Sequence, residues 1–138
     1  MESPSSSEGN SGIRQDKRYR FDNLEESVKK SSIGETEYEP FIDGDRQLGE
    51  VHWLRQDAAE SGVVLAGLWK AEEATTPREF DFPFDYEETI HVLEGSVTID
   101  FPNSPSVTLR AGDLASFTKG TTSVWHVQMP FKKFFVLS

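Results

Sequence analysis

A chain of 138 residues is long enough for one domain with a sizeable core and too short for two comfortable ones. Its 24 acidic and 14 basic side chains leave a net charge of −10. An acidic surface of that kind repels phosphate backbones and anionic lipid headgroups, so neither nucleic acid nor a membrane is an expected partner. With no cysteine, disulfides, thiolate ligands and thiol nucleophiles are all excluded.

The opening segment MESPSSSEGNSG has no apolar core and does not read as a secretory leader. The longest apolar run, VVLAGLW, is far too short to span a bilayer. These features together predict a soluble, cytoplasmic protein. Residues 1–20 read as a disordered or extended tail, with the locally basic IRQDKRYRF laid against the acidic body. DNLEESVKK, from Asp22 to Lys30, offers an N-cap and a helical turn. From Gly49 onward the pattern is β. GEVHWLRQ alternates, GVVLAGLWKAEE runs apolar then polar, and ETIHVLEG and SVTIDF flank a tight turn at Glu94-Gly95. SVTLRAG, DLASFT, SVWHVQM and KKFFVLS follow as separate short strands, with turns at Gly112-Asp113 and Lys119-Gly120. Close, regular strand spacing without a helical period predicts a sandwich or a barrel.

At this level the residues match a family. ETIHVLEG, followed by AGDLASFTKGTTSVWHV, resembles the two motifs of the cupin superfamily. Glu88 stands seven residues before Gly95, where the first motif has its glutamate, and Gly112 and Gly120 fall on the second motif's glycines. FDFPFDYEETIHVLEG, SFTKGTTSVWHV and PFKKFFVL are similar to the branch of small cupins grouped with ureidoglycine aminohydrolase and the cupin of ethanolamine utilisation. The resemblance implies an all-β fold, a cupin-type double-stranded β-helix or jelly-roll barrel, over residues 21–138 with a motif-bearing core of about 62–138. It also implies a homodimer. The metal does not carry over. The motif's first two histidines fall at Asp81 and Pro83, or at Phe82 and Phe84 with a shorter spacer, and Ser123 stands where the second motif has its histidine. Only Glu88 remains of the usual four ligands.

Strand parity tests whether His52, His91 and His126 rebuild such a site. If Glu88 points into the barrel, Ile90 and Val92 follow and His91 faces out. If Ser123 points in, so does Trp125, and His126 faces out. A first-row metal needs three or four convergent ligands, so no metal ligands and no cofactor are expected. The inward set is Phe82, Phe84, Glu88, Phe117, Ser123 and Trp125. It reads either as an aromatic-walled small-molecule site around one carboxylate or as a packed barrel interior. Glu88 is the candidate catalytic residue, since a carboxylate among aromatic rings suits proton transfer and is costly to bury unpaired. Its structural alternative is a salt bridge to an inward Lys or Arg. The function expected is binding of a small molecule without a tightly bound metal. The alternatives are a metal-dependent enzyme on a small nitrogenous substrate, resembling ureidoglycine aminohydrolase, and a structural or interaction protein with a filled barrel.

Overall fold

The computed structural model describes residues 28–34, 36–59 and 62–138. The tail expected over 1–20 lies outside the described residues, as does the helical turn expected from Asp22 up to residue 27. Val28, Lys29 and Lys30 carry no regular structure. The unit from Ser31 to Ser138 holds eight strands: β1 (Glu39–Asp43), β2 (Arg46–Ala59), β3 (Gly62–Ala71), β4 (Glu79–Asp81), β5 (Glu88–Phe101), β6 (Ser104–Arg110), β7 (Leu114–Phe117) and β8 (Val124–Leu137). Among the described residues no helix is long and apolar enough to cross a membrane.

The fold is organised by its two longest partners. β5 and β8 pair antiparallel along their whole length, from Glu88↔Leu137 to Asp100↔Val124. The first half of β5 has β7 on its other side, and the second half has β6. The second half of β8 adjoins β3, which continues through β2 to β1, and the first half adjoins β4. The two long strands therefore pass from one sheet into the other. One sheet runs β1-β2-β3-β8-β5-β7 and the other β4-β8-β5-β6, all antiparallel, with the apolar faces turned toward each other. Ile90, Val92, Val97, Ile99, Trp125 and Phe131 are almost wholly buried between them.

This corrects two expectations. Glu94-Gly95 is not a hairpin turn, because β5 continues through it as one strand of 14 residues. The ladder to β8 shifts register between Val92 and Glu94 and again between Glu94 and Ser96. From Val92 to Glu94 β5 advances two residues while β8 moves one, from Lys133 to Lys132, and the extra residue is a β-bulge. Gly95 lies in the bend with φ of 79°. A Cβ there would stand 2.3 Å from the Pro130 carbonyl oxygen and 2.8 Å from that of Gln128. The backbones of the two long strands therefore meet at a contact only glycine permits. Likewise SVWHVQM and KKFFVLS are not separate strands. β8 runs through Pro130, whose missing N–H falls where the ladder is already interrupted.

Candidate functional site

Between the sheets lies a cavity of about 60 Å³, well above the ~10–15 Å³ one water requires. Its deep wall is Leu48 and Val51 from β2, Trp69 from β3, Phe80 from β4 and Trp125 from β8. Phe41, Trp53, Phe82 and Leu137 also line it but are only partly buried, so the cavity opens toward solvent past these four. The lining is apolar except for Glu88, at the head of β5, and Lys133, in the second half of β8.

Those two side chains meet. Lys133 Nζ donates to Glu88 Oε2 at 2.7 Å, with the side chains only 6% and 4% exposed. The ammonium also lies 4.6 Å from the Trp125 ring centre, 5.3 Å from Trp69, 5.7 Å from Phe82 and 5.8 Å from Phe135. These are distances at which the ring faces attract a cation. Glu88 is thus not an unpaired carboxylate. The salt bridge posed as its alternative is present, and Lys133, which the sequence reading did not single out, is its partner. Counting by twos along β8 from Trp125 reaches Val127, Met129, Phe131 and then Lys133, so the pattern itself places this lysine inward once the strand is read as continuous.

The other predicted site residues divide. Phe82 and Trp125 line the cavity with Glu88, whereas Phe84, Phe117 and Ser123 stand behind it. Phe84 and Phe117 stack on each other at 4.5 Å and 13°, and both pack obliquely on Trp125. Ser123 is buried, but its hydroxyl is engaged. It donates to the Phe82 carbonyl at 2.7 Å and accepts from Trp125 Nε1 at 3.1 Å. It fixes the indole that forms part of the cavity's deep wall. Phe82 and Phe84 are held against this segment by backbone bonds from Phe82 N to Ser123 O and from Phe84 N to Thr121 O.

The histidines face away. His91 is exposed, while Ile90 and Val92 on either side of it are buried. His126, outward from Trp125, lies between Asp100 Oδ2 at 2.7 Å and Glu79 Oε1 at 3.3 Å. Asp100 also accepts from Ser106 Oγ. That bond first, and the one from His126 second, hold its carboxyl below the usual aspartate range. His52 is on the outer face of β2. Among the described residues no three His, Cys, Asp or Glu side chains converge as a metal site. Around Glu88 the donor set is one carboxylate already facing an ammonium, a spent hydroxyl and aromatic rings. Those residues do not fit a divalent cation, which would have to share the position with Lys133.

Two antiparallel sheets exchanging long strands around an apolar cavity, with a glutamate at the head of the shared strand, define a cupin-type jelly-roll barrel. The model of the EutQ-like cupin domain matches residues 58–135, more than half of the chain, and the protein belongs to that family. A DUF861-family protein from Thermotoga maritima is 32% identical over 51% of this chain and 76% of its own, with a TM-score of 0.46. A putative ethanolamine utilization protein Q from Salmonella typhimurium is 17% identical over 75% of this chain and 97% of its own, at a TM-score of 0.53. A DUF861-family protein of unknown function from Pseudomonas syringae is 20% identical over 77% of this chain and 45% of its own, at 0.58. No curated protein matches the chain in sequence.

Proposed function

We propose that this protein binds a small uncharged molecule in the cavity at the Glu88–Lys133 pair, without a metal. The observation that carries the reading is the pair itself: two opposite charges on the wall of a cavity whose lining is otherwise apolar. Such a pair adds little net stability over apolar residues of similar size, so its presence beside a cavity supports a ligand role. Because the charges cancel, an uncharged head is favoured over an ion. Among the described residues Lys133 Nζ makes one hydrogen bond out of the three an ammonium can donate, and Glu88 Oε1 has no partner. A head that accepts from Lys133 and donates to Glu88, such as a hydroxyl or a carboxamide, matches both. Its short apolar body would lie against Trp69, Phe82 and Trp125. Chemistry like that of ureidoglycine aminohydrolase would need a metal that these residues do not fit.

The test is a panel of small alcohols and carboxamides, read by calorimetry and thermal shift, on the wild type and on the double variant Glu88→Met/Lys133→Met. Metal content is measured in parallel by elemental mass spectrometry on protein purified without chelators. Binding by the wild type and not by the folded double variant is expected, with no stoichiometric metal. Equal binding by both would place the site elsewhere. One first-row metal per chain would overturn the metal-free reading. The small cavity and the stacked Phe84 and Phe117 favour one rival, a filled barrel with a structural role, and failure of the whole panel to bind would point to it.

A further inference from the structure

A second group of side chains lies on the opposite face of β2 from the cavity. His52 stands between Val51 and Trp53, both of which line the cavity, so its ring projects to the outside. There His52 Nδ1 is 3.1 Å from the Glu37 carbonyl oxygen. A carbonyl can only accept, so Nδ1 carries the hydrogen and Nε2 of the neutral ring presents its lone pair. That lone pair faces the hydroxyl of Ser31, with Oγ 2.7 Å from Nε2. Ser31 is therefore the donor and the imidazole its acceptor. Thr36 completes the group, its Oγ1 standing 2.7 Å from Ser31 Oγ and 3.4 Å from Nε2. Tyr38 meets the His52 ring edge-on, with the ring centres 6.2 Å apart.

We propose that Ser31 is a nucleophile activated by His52, forming an acyl-transfer site for small esters that is independent of the barrel cavity. The diagnostic arrangement is present: a nucleophile within hydrogen-bond reach of a base, and the base oriented by a third group, here a backbone carbonyl where a carboxylate often serves. The serine is exposed, so a substrate can reach it. In the first step Ser31 Oγ bonds to the ester carbonyl carbon, and its proton passes to His52 Nε2. The ester C–O bond then breaks, and the departing alkoxide takes that proton and leaves as the alcohol. In the second step water attacks the acyl-serine. His52 takes the water proton and returns it to Oγ, and the carboxylic acid is released. The Thr36 hydroxyl, 2.7 Å from Ser31 Oγ, is the donor the proposal assigns to the oxyanion that forms in each step.

The adjacent serine supplies an internal control. Ser32 is also exposed, but its Oγ accepts only from Gly34 N at 3.3 Å among the described residues. The full chain is treated with a fluorophosphonate probe, and the labelled residue is mapped by peptide mass spectrometry over time. Ser31 is expected to label about a hundred-fold faster than Ser32, the scale of a positioned general base. His52→Ala should reduce Ser31 to the rate of Ser32, and Ser31→Ala should abolish the p-nitrophenyl acetate burst, with circular dichroism unchanged in both. Labelling of Ser31 no faster than Ser32 in the wild type would overturn the proposal even if the His52 variant failed to fold. An unchanged Ser31 rate in folded His52→Ala would overturn it as well.

Discussion

Breaking the Glu88–Lys133 pair from either side should destabilise the fold strongly, whereas removing both charges together should not. At 2.7 Å and an effective dielectric of about 20, the two charges attract by roughly 6 kcal/mol. Withdrawing each ion from water costs several kcal/mol, so the intact pair comes close to breaking even. Removing one partner leaves the other desolvated and uncompensated, a loss of about 3–5 kcal/mol. The surroundings set the order within that range. In Glu88→Gln the stranded group is an ammonium that keeps its ring faces, Trp125 nearest at 4.6 Å, and an amide oxygen as acceptor. In Lys133→Met the stranded group is a carboxylate in an apolar wall with no cation beside it. Glu88→Gln should therefore lose about 3 kcal/mol and Lys133→Met about 5. At roughly 4 °C per kcal/mol for a domain of this size, the melting points fall by about 12 and 20 °C. Glu88→Met/Lys133→Met should unfold within about 1 kcal/mol of the wild type, or above it. Urea denaturation of the four proteins provides the free energies. Single variants that each lose under about 1 kcal/mol would mean the pair is solvated rather than buried, and the reasoning fails.

Two further perturbations test the frame around the cavity. Gly95→Ala adds a left-handed backbone penalty to a Cβ placed 2.3 Å from the Pro130 oxygen, and should lose about 2–5 kcal/mol by urea midpoint. Gly112→Ala, at φ of 98° with open space around it, should lose only about 1–2 kcal/mol, and equal losses would refute the close-contact account. On the outer face, bonds from Ser106 and His126 depress the Asp100 carboxyl below its unfolded value. A depressed carboxyl contributes stability above its unfolded pKa and loses it as pH falls through the folded one. The wild type should exceed Asp100→Asn in stability at neutral pH and lose that margin in acid. Denaturation midpoints across a pH series check this, and a margin that grows toward low pH would reverse the sign.

How far the site was legible in the sequence comes down to parity along β5 and β8. Alternation from Glu88 correctly sent Ile90 and Val92 inward and His91 outward, because the first turn-free stretch of β5 obeys the two-residue period. The period then fails at one place. The buried positions of β5 are even through Val92 and odd from Val97, and the bulge between Val92 and Glu94 makes the change by adding one residue to β5 alone. Glycine after glutamate signals a hairpin and a bulge equally well in sequence, since both use its positive φ, and only the partner strand decides between them. The same ambiguity hid Lys133. Opposite the bend, β8 moves four residues, from Lys132 to Gln128, while β5 moves two, from Glu94 to Ser96. Two extra residues preserve parity where one reverses it. Trp125, Val127, Phe131, Lys133 and Phe135 therefore all face inward across Pro130. Reading that proline as a strand end severed the alternation three residues before the lysine. The residue that neutralises Glu88 was thus encoded by the plainest pattern in the chain, and only the pairing of two bent strands shows that the pattern is unbroken.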